Sequence, residues 1–137
     1  MNILNVREYI ETFLKIRTKD GTLMPLRLNQ PQDRMYQAVK SQWDAGKPVR
    51  IIVLKARQMG FSTLTEAIIF AITATRFYTD CMIVAHKDEA TANLFRMSLR
   101  YYENLPEPMK PMRKASNAHE LVFDKPAHYK GRRPGLG

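Results

Sequence analysis

Residues 55–63 read Lys-Ala-Arg-Gln-Met-Gly-Phe-Ser-Thr. Cations, a glycine and a pair of hydroxyls so close together could hold a phosphate. The usual phosphate loop is G-x-x-x-x-G-K-[ST], set between a buried strand and a helix. Gly60 and Ser62 fit the second glycine and the hydroxyl. Lys55 stands where the first glycine belongs, and Phe61 where the lysine belongs. The physics tolerates this order, because backbone N–H groups and a helix N-terminus do most of the anion binding. Gly60 gives the backbone freedom for close approach. Ser62, or Thr63, can place a hydroxyl on Mg²⁺. Lys55 can reach in from the front of the loop, and Arg57 adds a fork matched to phosphate oxygens. The competing reading is a plain surface turn with both cations solvated.

The flanking residues favour the loop. Arg50 to Leu54 is a nearly continuous apolar, β-branched run, which predicts a strand buried on both faces. Ser62 to about Phe77 is rich in Ala and Ile and predicts a deeply packed helix. Cys81 to Ala85 predicts a second buried strand. Asp88 to about Leu105 predicts a long helix, with Ala92, Phe95, Leu99 and Tyr102 as its main apolar face and Leu94, Met97 and Tyr101 beside it. This order predicts an α/β fold, a P-loop NTPase-like parallel sheet flanked by helices. Glu120 to Phe123 predicts one further strand.

Upstream, residues 6–17 predict an amphipathic helix, with Asn5 as N-cap and Glu8 completing a capping box. Asp20-Gly21 is a turn signal, and Leu23 to Leu28 a short extended stretch. A second helix starts near Pro31 and ends at Gly46 and Pro48. The organisation expected is a helical segment over 1–48, a partial ATPase core over 49–125 and a basic, unpacked tail over 126–137.

The chain has 137 residues, enough for one domain with a real core. Its 22 Lys and Arg against 13 Asp and Glu leave a net charge of +9, which suits a nucleotide or nucleic-acid partner. Its apolar stretches are too short for a membrane span, which needs roughly 20 residues. The single cysteine, Cys81, rules out an intrachain disulfide and fits a reducing cytoplasm.

Lys-Ala-Arg-Gln-Met-Gly-Phe-Ser-Thr resembles the deviant Walker A motif of the large terminase subunit of tailed bacteriophages. The matching positions are Lys55, Arg57, Gln58, Gly60, Ser62 and Thr63. Leu28-Asn29-Gln30-Pro31-Gln32-Asp33-Arg34-Met35 resembles that family's adenine-recognition segment, which carries the adenine contact onto Gln32, with Gln30 as the alternative. A Gln amide can read the N6 and N7 edge of adenine. Residues 82–86 and the helix after them resemble the family's second strand and helix.

The resemblance implies an ATP-binding portion of a DNA-packaging motor, with ATP and Mg²⁺ as cofactors. Lys55 and Arg57 would stabilise charge on the γ-phosphate. Gln58, Met59, Gly60, Phe61, Ser62 and Thr63 would wrap the nucleotide, and Ser62 would hold the metal. It further implies double-stranded DNA, the small terminase subunit and the portal protein of the procapsid as partners. A homo-oligomeric ring and the bacterial host cytoplasm belong to the same expectation. The sequence departs from the family in lacking an apolar strand that ends in Asp-Glu. Leu121-Val122-Phe123-Asp124 comes nearest, but Lys125 follows. The chain therefore corresponds to the front of such a motor and is expected to hydrolyse ATP poorly alone. Two other classes remain open from the residues: a helicase-like ATPase, and a non-enzymatic basic DNA-binding or phage assembly module.

Overall fold

The computed structural model describes residues 3–54, 60–76, 79–116 and 120–125. Helix α1 (Ile3–Phe13) buries Val6, Tyr9 and Ile10, with Leu14 buried just past its end. This is the apolar stripe expected of residues 6–17, but the bounds differ. The helix starts ahead of Asn5, so Asn5 is not its N-cap. It also stops before residue 17, because Lys15–Arg17 forms strand β1 instead and pairs antiparallel with β2 (Leu23–Pro25). The turn between them closes through Thr18 N to Thr22 O at 2.9 Å and Gly21 N to Thr18 O at 3.0 Å. Leu26 N then donates to Leu14 O at 2.9 Å, and both leucines are buried. These cross-chain bonds and the burial of Leu26 replace one further turn of helix.

Helix α2 (Gln30–Asp44) carries its buried face on Gln32, Tyr36 and Val39, with Trp43 packed beside them. Asn29 caps its start. Gly46, at φ 69°, ends it: Gly46 N donates to Trp43 O at 3.0 Å and Lys47 N to Gln42 O at 3.1 Å. That double bond past a left-handed glycine is the Schellman arrangement. Arg7 of α1 pairs with Asp33 of α2 and lies over the Tyr36 ring at 5.7 Å, which ties the two helices.

Helices α3 (Phe61–Thr75) and α4 (Asp88–Glu103) form the centre. Helix α3 buries Leu64, Ala67, Phe70, Ala71 and Ala74, and the three alanines let neighbouring helices approach closely. On α4 the fully buried residue is Tyr101, and Leu105 just beyond the helix is buried too. Ala92, Phe95 and Leu99, expected to be the main face, are only half-buried. Tyr102 of the same expected face does pack on the core, as Met97 and Tyr101 of the flanking row do, while Leu94 is only half-buried. Strands β3 (Met112–Ser116) and β4 (Leu121–Lys125) form a second antiparallel pair. Its Phe123 stacks on Tyr102 at 5.6 Å and meets Phe70 edge-on at 6.1 Å. One apolar cluster thus joins α1, α2, α3 and α4.

The expected P-loop NTPase-like parallel sheet is not what the chain forms. The sheets among the described residues are the two antiparallel pairs β1–β2 and β3–β4. Residues 50–54 and 81–85, expected as buried strands, have no ladder partner among the described residues. Ile52 is 92% exposed, Leu54 95% and Met82 84%. An apolar run states what a segment would gain from burial, not that a neighbouring strand lies beside it. Both observed sheets are local hairpins, which need little loop closure. No helix among the described residues is long and apolar enough to cross a membrane.

Glu66 of α3 sits in the α3–α4 seam at 2% exposure. Its carboxylate accepts a hydrogen bond from Ser98 Oγ of α4 at 2.8 Å. Burial pushes the carboxyl above its ordinary range, and the Ser98 bond only partly opposes that. A raised acid binds its proton more tightly folded than unfolded. Stability is therefore greatest below the usual carboxyl range and falls as pH rises through the raised value. Glu66→Gln keeps an acceptor for Ser98 and removes the charge. It is expected to raise the melting temperature at pH 7.5, by roughly 1 kcal/mol of stability, and to flatten the slope between pH 4 and 7. Thermal melts across that range check it; an unchanged slope would refute the assignment.

Candidate functional site

Helix α3 begins at Gly60, whose φ of 80° is the left-handed conformation that glycine takes at little cost. The first helical bond runs from Leu64 N to Gly60 O at 3.0 Å. The N–H groups of Phe61, Ser62 and Thr63 precede it and have no partner within the helix. No side chain among the described residues caps this end, and no acidic residue lies in its first turn. The positive end of the helix dipole is therefore not neutralised by the helix's own residues. Ser62 is exposed, while Thr63 is half-buried and its carbonyl accepts from Tyr101 Oη at 3.0 Å. Lys55, Arg57, Gln58 and Met59 lie outside the described residues.

The start of α2 abuts this end of α3. Asn29 Oδ1 accepts from Gln32 N, and Gln32 Oε1 accepts from Asn29 N, both at 2.9 Å. This reciprocal pair is a capping box, built on Asn29 rather than on the expected Asn5. The same amide reaches the other helix: Gln32 Nε2 donates to Gly60 O at 2.8 Å. Gln32 is 4% exposed. Both ends of its amide are thus engaged inside the protein. A Cβ at Gly60 would lie 2.5 Å from Gln32 Nε2 and 3.2 Å from Gln32 Cδ.

On the opposite side of the first turn of α2 lies an open groove of about 390 Å³. It is lined by Gln30, Pro31, Arg34 and Met35 of α2, by residues 51–54, and by Phe61 at the start of α3. Apart from Gln30 and Arg34 its lining side chains are apolar, which suits a flat ring with polar edges. Gln30 and Arg34 are both exposed there. Sequence reasoning named Gln30 only as an alternative, gave Arg34 and Met35 no contact of their own within the adenine-recognition segment, and read residues 50–54 as a buried strand. The signal was present for the first two: Gln30 and Arg34 lie four apart and share a helix face.

The structure therefore brings together Gly60, Phe61, Ser62, Thr63 and Gln32, and adds Gln30 and Arg34. Among the described residues no cluster of three His, Cys, Asp or Glu side chains could hold a metal ion. Comparison with protein families, with curated proteins and with solved structures gives no match.

Proposed function

We propose that residues 55–63 bind the phosphates of ATP and that the groove over α2 takes its adenine. The fuller reading is that the chain is the ATP-binding portion of a terminase large subunit, a motor that drives double-stranded DNA into a procapsid. The observation that carries the nucleotide reading is a juxtaposition. An uncapped helix start at a left-handed glycine lies at one end of an apolar groove, with Phe61 belonging to both. A nucleotide has that shape, an anionic end and a flat apolar end. The reading rests on this geometry and on the residue pattern of the loop, and it calls for no parallel sheet.

Within it, the amides of Phe61, Ser62 and Thr63 receive phosphate oxygens, and Lys55 and Arg57 supply the charge that balances them. Mg²⁺ arrives with the nucleotide, and Ser62, whose exposed side chain stands at the helix start, is the residue offered to it. The metal would neutralise phosphate charge. Gln30 takes the edge of the base, since the Gln32 amide is engaged with Asn29 and Gly60. The net charge of +9 supports the DNA partner. The small terminase subunit, the portal protein and a ring of copies rest on the resemblance alone.

The test is titration with a fluorescent ATP analogue and Mg²⁺. Lys55→Ala and Arg57→Ala should each weaken binding by roughly 10- to 100-fold, the worth of one charge-assisted contact. Binding that is equal in both variants and the unsubstituted protein would remove the site.

A further inference from the structure

The Gln32 side chain lies between the two halves of the proposed site. It makes two hydrogen bonds inside the protein, its Oε1 accepting from Asn29 N and its Nε2 donating to Gly60 O, while the backbone N–H of the same residue donates to Asn29 Oδ1. It is buried, and it occupies the space behind Gly60 that a side chain there would need. It also follows the buried face of α2, four residues before Tyr36 and seven before Val39. The groove is formed by the other face, on Gln30 and Arg34.

We infer that Gln32 is a positioning residue for the phosphate loop and not a reader of the base. It rests on the nucleotide reading above. Its amide bridges the first turn of α2 to the glycine that opens α3. The carbonyl it holds also accepts the first helical bond of α3, from Leu64 N. Fixing that carbonyl fixes the direction of the amides of Phe61, Ser62 and Thr63. An oriented set of donors binds an anion better than a mobile one, because less ordering is left to the binding step. Gln32 therefore acts on whatever phosphate binds, whichever base is attached. Base preference belongs to Gln30 and Arg34.

The discriminating variant is Gln32→Glu. A glutamate at the third helical position still accepts from Asn29 N, and it is a common partner in a capping box, so α2 keeps its start. It loses the donor to Gly60 O and puts an oxygen against an oxygen. Two measurements at pH 8 are made on the whole chain. The first is amide hydrogen exchange without ligand. Residues 64–67, the first bonded amides of α3, should exchange roughly tenfold faster, the equivalent of one hydrogen bond, while residues 36–39 stay unchanged. The second is calorimetric titration with inorganic tripolyphosphate, ATP and GTP. All three affinities should fall by about the same factor, roughly tenfold, whereas Gln30→Ala should alter the ratio of ATP to GTP and leave tripolyphosphate alone.

Unchanged exchange at residues 64–67 would overturn the bracing role, whatever binds. A loss of ATP affinity with tripolyphosphate unaffected would overturn it in favour of base reading. Faster exchange in a protein whose unsubstituted form binds neither tripolyphosphate nor ATP would remove the nucleotide reading itself, and with it any role for Gln32 in binding.

Discussion

Gly60→Ala should destabilise the protein by about 2–3 kcal/mol and abolish tight phosphate binding. Two terms make up the cost. A side chain at a φ of 80° carries left-handed strain of roughly 1–2 kcal/mol. The new Cβ would also meet Gln32 Nε2 at 2.5 Å. Normally the end of a Gln side chain swings aside cheaply. Here its other end is held by Asn29 N, so moving it breaks the capping box or the bond to Gly60 O, at about 1 kcal/mol each. Gly21 supplies the control. Its φ is 87°, yet a Cβ there meets nothing within 4 Å, so Gly21→Ala carries the strain alone. Urea denaturation of both variants, with unchanged m, separates the terms. Equal midpoints for the two would mean that Gln32 gives way freely and that the brace is weak.

The largest loss of stability is expected from Phe70→Ala, about 3–5 kcal/mol. Phe70 is 3% exposed and meets Tyr101 edge-on at 5.8 Å and Phe123 at 6.1 Å. It joins α3 to α4 and to the β3–β4 hairpin at once. A domain of this size has only about 5–15 kcal/mol in total, so the variant loses about a fifth of it or more. The loss should also be uneven. Through Phe123 the hairpin depends on Phe70, whereas the α1–α2 contact has its own Arg7–Asp33 pair. Hydrogen exchange should accelerate more in β3 and β4 than in α1. Phe70→Leu, which keeps most of the volume, should cost less than about 1.5 kcal/mol. Uniform acceleration across the chain would show that the hairpin has no separate dependence on this ring.

Helices α2, α3 and α4 were legible to within a few residues, because their signals are local: period, capping residue and glycine stop. Strand β4, at Leu121–Lys125, lies close to the expected 120–123 stretch. The end of α1 was not legible. Ile16 continues the apolar period, and only the pairing of Lys15–Arg17 with Leu23–Pro25 takes those residues out of the helix. The runs at 50–54 and 81–85 misled for the opposite reason, since partners decide pairing and a one-dimensional pattern contains none. The site was half legible. Residue type alone offered Gln32 a base edge to read. The spacing of Gln32, Tyr36, Val39 and Trp43, at intervals of four, three and four, placed it on the inward face and Gln30 on the groove. Helical period was the better guide to that residue than the versatility of its amide.

The run Ile51–Leu54, exposed from Ile52 onward, has a consequence for the protein in concentrated solution. A short, uncharged, apolar segment with no ladder partner among the described residues can pair edge to edge with the same segment of another copy. Arg50 stands immediately before it and Lys55 immediately after it in the sequence. Like charges at both ends repel the in-register stacking that such a segment favours, which is the role of a gatekeeper residue. Besides any phosphate that Lys55 holds, these two cations are expected to oppose such stacking, and polyanions that neutralise them to favour it.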